Sequence, residues 1–220
     1  MPTDSAPGRP ARSRRRSLRA PRILPPASVA AAVSEFSAPG GTARFAAGKA
    51  LAATAQHAPG RVYPHFGAIA AQLDSDSQIV RWEALQILAE LAAADVDRRI
   101  DRLLGRYLSF IRCGNLVSAA NAVKGAAQIA SARPDLLRRI VPAILGVERA
   151  TYKTDECRNV AIQQALRALC ELGPRALRLS AVTAFVRRQL RNPRPAVRRV
   201  AQSAIRQQPI RGSPGRAAAV

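Results

Sequence analysis

The chain has 220 residues, 35 basic and 14 acidic, for a net charge of +21; 48% are apolar and 4% aromatic. That length fits one domain with tails, and 45 alanines against 33 valines, isoleucines and threonines favour helix over sheet. Three cysteines without a C-x-x-C pair, and two histidines, exclude a disulfide framework and a zinc finger, and no apolar run approaches the roughly 18–20 residues that a bilayer span needs.

Residues 1–38 are mostly Pro, Ser, Ala, Gly and Arg, too poor in large apolar side chains to offset the entropy of ordering, and are expected to form a disordered basic tail. Within them Ser13-Arg14-Arg15-Arg16-Ser17-Leu18-Arg19 resembles a twin-arginine export signal, but only the short stretch 27–33 follows as an apolar core. The expectation is therefore a cytoplasmic chain, with export as the alternative.

Residues 39–208 carry apolar side chains at i, i+3, i+4 and i+7 in segments bounded by helix punctuation. Helices are predicted over 42–57, 64–73, 79–93, 96–111, 115–131, 135–147, 155–172, 175–190 and 196–207. Val80, Ala84, Ile87, Leu88 and Leu91 mark one apolar stripe; Ile100, Leu104, Tyr107 and Ile111 mark the next. Asp76 or Ser77 is available to cap the first of these helices. Pro64, Pro134, Pro174 and Pro195 sit where helices begin, a position that needs no amide proton. Pro142 falls inside a stripe and is expected to kink its helix. Residues 209–220 lack periodicity and are expected to be a flexible C-terminal tail.

The segments repeat. Ala84-Leu85-x-x-Leu88-x-x-Leu91 aligns with Ala122-Val123-x-x-Ala126-x-x-Ile129, with Ala165-Leu166-x-x-Leu169-x-x-Leu172 and with Ala201-x-x-Ala204-Ile205, at steps of 38, 43 and 36 residues. A lone hairpin of this kind leaves too much apolar surface bare, and stacking buries it. At two junctions a helix ending in Leu73 or Leu190 runs through a short Asp or Asn turn into Val80-Arg81-x-x-Ala84 or Val197-Arg198-x-x-Ala201. These junctions resemble the inter-repeat turn of the HEAT-repeat family, and the likeness extends over about residues 41–207. It implies an all-α, right-handed α-solenoid of about four HEAT-like helical hairpins plus a closing helix. It also implies a non-enzymatic binding module or adaptor whose concave surface takes a protein partner. Ser118-Ala119 and Ala161-Ile162 stand where Val-Arg is expected in the middle repeats.

No catalytic residue, metal site or cofactor is expected. Cys157 falls in the first turn of a helix that Thr154 can cap, which favours a thiolate, but Asp155 and Glu156 oppose that charge and a plain capping turn is the expectation. Cys113 and Cys170 are expected to act as small hydrophobes. Tyr63 with His65 forms either an acid–base pair or a packing contact, and Trp82 is expected to pack rather than to line a cleft. HEAT-like glycosylases of alkylated DNA and HEAT-like bilin lyases resemble the chain in repeat pattern alone, and no residue carries over from them.

Arginines mark the second helix of each hairpin: Arg98, Arg102, Arg106, Arg138, Arg187, Arg188 and Arg191. That helix lines the concave side of HEAT-like solenoids, so the resemblance implies a basic stripe suited to a carboxylate-rich peptide or a phosphate backbone. A merely solvated face, with Asp97 and Asp101 neutralising part of it, is the equal alternative. Net charge is +6 over residues 1–24, +4 over 25–174 and +11 over 175–220. With such ends, a nucleic-acid-binding protein, including a repair-related one, is the second functional expectation. The oligomeric state stays open.

Overall fold

The computed structural model describes residues 23–207; residues 1–22 and 208–220, with the twin-arginine-like run and the C-terminal tail, lie outside the described residues. The described chain is helix and turn, with no strand. In order the helices are α1 (Pro26–Phe36), α2 (Ala43–His57), α3 (Pro59–Val62), α4 (Phe66–Ala71), α5 (Gln78–Leu91), α6 (Arg99–Ser109), α7 (Leu116–Ala132), α8 (Leu137–Leu145), α9 (Asp155–Glu171), α10 (Pro174–Leu177), α11 (Ser180–Gln189) and α12 (Pro195–Gln207). The long helices α2, α5, α7, α9 and α12 pack side by side in one row, which α1 closes against α2. The shorter helices alternate with them as B segments, over 59–74, 95–112, 134–148 and 174–191, nested against the neighbouring long helices.

The repeat is more regular than the apolar pattern suggested. The long helices α5, α7, α9 and α12 open at Gln78, Leu116, Asp155 and Pro195, at steps of 38, 39 and 40 residues. Counted from those openings, the seventh residue is Ala84, Ala122, Ala161 and Ala201, each at most 1% exposed. The expected equivalence of Ala165 is thus one turn too late. An apolar stripe matches itself when slid by four residues, so periodicity alone does not fix the register. In the corrected register, the fourth residue is Arg81, Ala119, Arg158 and Arg198. Arg81 donates to the Ser75 carbonyl at 2.6 Å, Arg158 to the Ala150 carbonyl at 3.4 Å, and Arg198 to the Asn192 and Pro193 carbonyls at 2.8 and 2.9 Å. These arginines tie down the turn before each helix. At α7 the tie is different: the indole N–H of Trp82 donates to the buried Ser118 hydroxyl at 2.9 Å, joining α5 to α7.

Three expectations are corrected. The disordered tail does not extend to residue 38, because Val29, Ala32, Val33 and Phe36 recur at helical spacing and bury their side chains against α2. Phe36 lies so close over Gly48 that a Cβ there would meet its ring at 2.9 Å. The helix expected from residue 96 starts at Arg99, with Val96 84% exposed and Arg98 left-handed at φ 54°. The helix expected over 175–190 is broken at Leu179, whose extended backbone separates α10 from α11. Pro142 lies within α8, which continues to Leu145.

Candidate functional site

The first three B segments are joined by a set of charges built around Asp95. Arg98 stands at the N-cap of α6, but its guanidinium has no acceptor for the free N–H groups, so Asp95, three residues earlier, supplies the cap. Its carboxylate accepts from the backbone N–H groups of Arg99 at 2.7 Å and Ile100 at 3.1 Å, where a helix N-terminus favours negative charge. The same buried carboxylate accepts from the Tyr63 hydroxyl at 2.9 Å and from Arg133 at 3.0 Å. Arg133, its side chain only 15% exposed, also holds Asp101 at 2.9 Å and grips Asp135 through two nitrogens at 2.9 and 2.7 Å. Arg98 adds bonds to Asp101 at 2.8 Å and Asp135 at 3.5 Å. Hydrogen bonds from Arg98 and Arg133 hold the Asp101 carboxyl below the usual range, and that from Arg133 does so for Asp135. Arg99 lies with its guanidinium 5.1 Å from the centre of the Tyr63 ring and pairs with Asp97 at 3.0 Å. This cluster joins three hairpins.

The seven arginines of the expected stripe divide into two kinds. Arg98, Arg106 and Arg188 are engaged: Arg98 as above, Arg106 with Asp74, and Arg188 with Glu148 through two nitrogens at 3.0 and 2.7 Å. Asp74 and Glu148 each end the B segment of the preceding hairpin, so these pairs cross between hairpins. Arg102, Arg138, Arg187 and Arg191 are exposed and have no ion-pair partner among the described residues. Aligned on the buried Ile100, Leu136 and Val182, Arg102 and Arg138 occupy one repeat position, and Arg106 and Arg188 another. Within the B segments every acid is spent: Asp74, Asp95, Asp97, Asp101, Asp135 and Glu148 each hold an arginine. The unpaired charge of that layer is entirely basic.

Sequence patterns missed Arg133, which follows α7 outside any stripe and shows its role only in three dimensions. They also missed Arg112 and Arg149, exposed and unpaired among the described residues. Arg112 ends a 3-10 turn at the position where the neighbouring hairpins place Asp74 and Glu148. Between the first two B segments lies a hollow of about 290 Å³, walled by Phe66, Gly67, Arg99, Arg102 and Leu103.

The other candidates fall elsewhere. Tyr63 does not pair with His65; its hydroxyl is committed to Asp95, and burial is the first cause that raises its phenol above the usual value. Thr154 accepts from the Cys157 backbone N–H at 3.1 Å, which makes it the expected cap. Burial pushes the half-buried Cys170 thiol up. No group of three or more His, Cys, Asp or Glu among the described residues is placed to hold a metal ion, and no helix among them is long and apolar enough to cross a membrane. Neither a scan against protein-family models nor a search of curated proteins finds a match to the chain.

Proposed function

We propose that the chain is a non-enzymatic binding module, a right-handed HEAT-like solenoid of about four hairpins and a closing helix, whose B-segment face docks an acidic protein partner. One observation carries this reading: Arg102, Arg138, Arg187 and Arg191 stand exposed and unpaired on a layer whose own acids are all held by other arginines. Guanidinium forks match carboxylates and phosphates alike. Two further observations favour protein over nucleic acid. Single-strand binders stack bases on exposed aromatics, whereas Tyr63, Phe66, Tyr107 and Phe185 of the B segments are buried and Phe110 is half-buried against the core. The hollow beside Arg102 offers an apolar wall that a phosphate backbone does not use.

The test uses the full chain and a variant with Arg102, Arg138, Arg187 and Arg191 changed to glutamate. Binding of a fluorescein-labelled oligoglutamate peptide, a labelled duplex and a labelled single strand is followed by anisotropy across a salt series. The peptide is expected to bind at low salt and to lose roughly thirtyfold or more in the variant, from about 0.5 kcal/mol or more at each of four contacts. Tight duplex binding that the variant abolishes, with a salt slope of about 0.9 per phosphate contact, would transfer the face to nucleic acid. Absence of binding to all three probes at low salt would remove both readings.

A further inference from the structure

The hollow between the first two B segments differs from the rest of the arginine face in having a floor for an apolar side chain. Phe66 is buried, Leu103 is half-buried, and Gly67 contributes no side chain; a Cβ there would meet nothing within 4 Å. The hollow is an open depression of about 290 Å³, with room for a leucine or phenylalanine side chain to lie against its floor with one side in water. Its rim is charged on one side. Arg99 is fixed there by the Asp95 cap on its N–H, by the Tyr63 ring and by Asp97, so little ordering entropy remains to be lost when a ligand arrives. Arg102 is exposed, on the same rim, and has no ion-pair partner among the described residues. Water over an apolar floor is weakly held, and displacing it with an apolar group is favourable.

We propose that this hollow is a specificity pocket that takes one large apolar side chain of a docked acidic segment, with Arg102 receiving the carboxylate of a neighbouring residue. The proposal rests on the acidic-partner reading above and adds to it a sequence requirement: an aliphatic or aromatic residue flanked by Asp or Glu. Charge complementarity selects that occupant. A second copy of the chain brings a net charge of +21, and residues 1–22 bring seven arginines and one acid, so neither matches the arginine rim.

The experiment compares two fluorescein-labelled peptides, Glu-Glu-Leu-Glu-Glu and Glu-Glu-Ala-Glu-Glu, binding to the full chain and to Gly67→Leu. The substitution adds a leucyl side chain at the wall of the hollow, where an added Cβ meets nothing within 4 Å, and far-UV circular dichroism checks that the fold is kept. The parent chain is expected to bind the Leu peptide about tenfold more tightly than the Ala peptide, the return from burying part of the three extra carbons. Gly67→Leu is expected to abolish the preference for the Leu peptide over the Ala peptide. Equal binding of the two peptides by the parent, or a Leu preference that survives Gly67→Leu, overturns the pocket and leaves the acidic-partner reading intact. Failure of both peptides to bind the parent at low salt overturns the docking face and the pocket with it.

Discussion

Gly125 lies on α7 where the Tyr107 side chain crosses from α6 towards α5. A Cβ at this position would run into the Tyr107 hydroxyl and would meet the Ala89 Cβ at 3.0 Å. Tyr107 is fully buried, and its hydroxyl donates to the Leu85 carbonyl at 2.9 Å. In an unobstructed helix interior, Gly→Ala stabilises by about 0.5–1 kcal/mol. At Gly125 that gain is opposed by overpacking, about 1–3 kcal/mol, and by loss of a hydrogen bond whose buried donor is left unsatisfied, about 1–3 kcal/mol. The expected net effect of Gly125→Ala is a loss of roughly 2 kcal/mol, which lowers the melting midpoint of a domain this size by roughly 4–8 °C. Gly67→Ala is the matched control, expected to raise stability by up to about 1 kcal/mol because its added methyl meets nothing. Adding Tyr107→Phe removes the colliding hydroxyl, so the double variant should lose less than the sum of the single ones. Thermal unfolding of the full chain by far-UV circular dichroism measures all four. A Gly125→Ala midpoint at or above that of the parent would refute the packing argument.

Removing Arg133 tests the charge cluster. Arg133→Met leaves the buried Asp95 without its cation and is expected to cost roughly 2–4 kcal/mol in urea unfolding; a loss below about 0.5 kcal/mol would show that the three carboxylates stand without it. The same variant should flatten the acid limb of stability. Asp101 and Asp135 have folded pKa values below their unfolded ones, so their contribution is complete above about pH 4 and is lost as pH falls through the lowered values. At the alkaline end the three tyrosines dominate. Burial is the leading cause that raises Tyr63, Tyr107 and Tyr152, the last up to about 12. Folded values above the unfolded value near 10 mean that stability is complete below about pH 10 and falls as pH rises through the raised values. Tyrosinate absorbance should therefore appear together with loss of helix, and tyrosinate forming in a chain with intact circular dichroism would contradict the burial of these phenols.

Helix positions were legible because amphipathic spacing and proline and cap signals agree along residues 42–207. The Thr154 cap and the start of α12 at Pro195 needed no tertiary information, whereas Ser77, one of the two residues expected to cap α5, stands at its N-cap without a side-chain bond. Register was not legible to the same depth: the stripe of α9 fits at Ala161 or Ala165, and only the helix opening at Asp155 decides. Helix α1 was missed although its apolar residues stand at i, i+3, i+4 and i+7, because the surrounding Pro, Ser and Arg composition outweighed four positions. For the candidate site, sequence located Arg102, Arg138, Arg187 and Arg191 on exposed faces, since helical phase is local. It did not separate them from Arg98, Arg106 and Arg188, because the acids that hold those three lie three to forty residues away. The hollow had no sequence signal, since it is a gap between Phe66–Gly67 on one hairpin and Arg99–Leu103 on the next.

The paired and unpaired arginines have different physical roles, and this makes the surface testable apart from the fold. Each junction between successive B segments carries a carboxylate–arginine tie: Asp74 with Arg106, Asp101 and Asp135 through Arg133, and Glu148 with Arg188. The more exposed ties, Asp74 with Arg106 and Glu148 with Arg188, contribute only about 0–1 kcal/mol each, so outside the Arg133 cluster the rows are held mainly by the buried apolar side chains and by the alanines that let the long helices approach. Arg102, Arg138, Arg187 and Arg191 take part in none of these ties. Arg187 stands in the last turn of α11, where a cation is mildly favoured, but reversing the four charges breaks none of these inter-hairpin ties. A variant that loses acidic-peptide binding while its melting midpoint stays within about 2 °C of the parent's, a surface-level change of roughly 0.5 kcal/mol, has therefore lost a surface and not a fold.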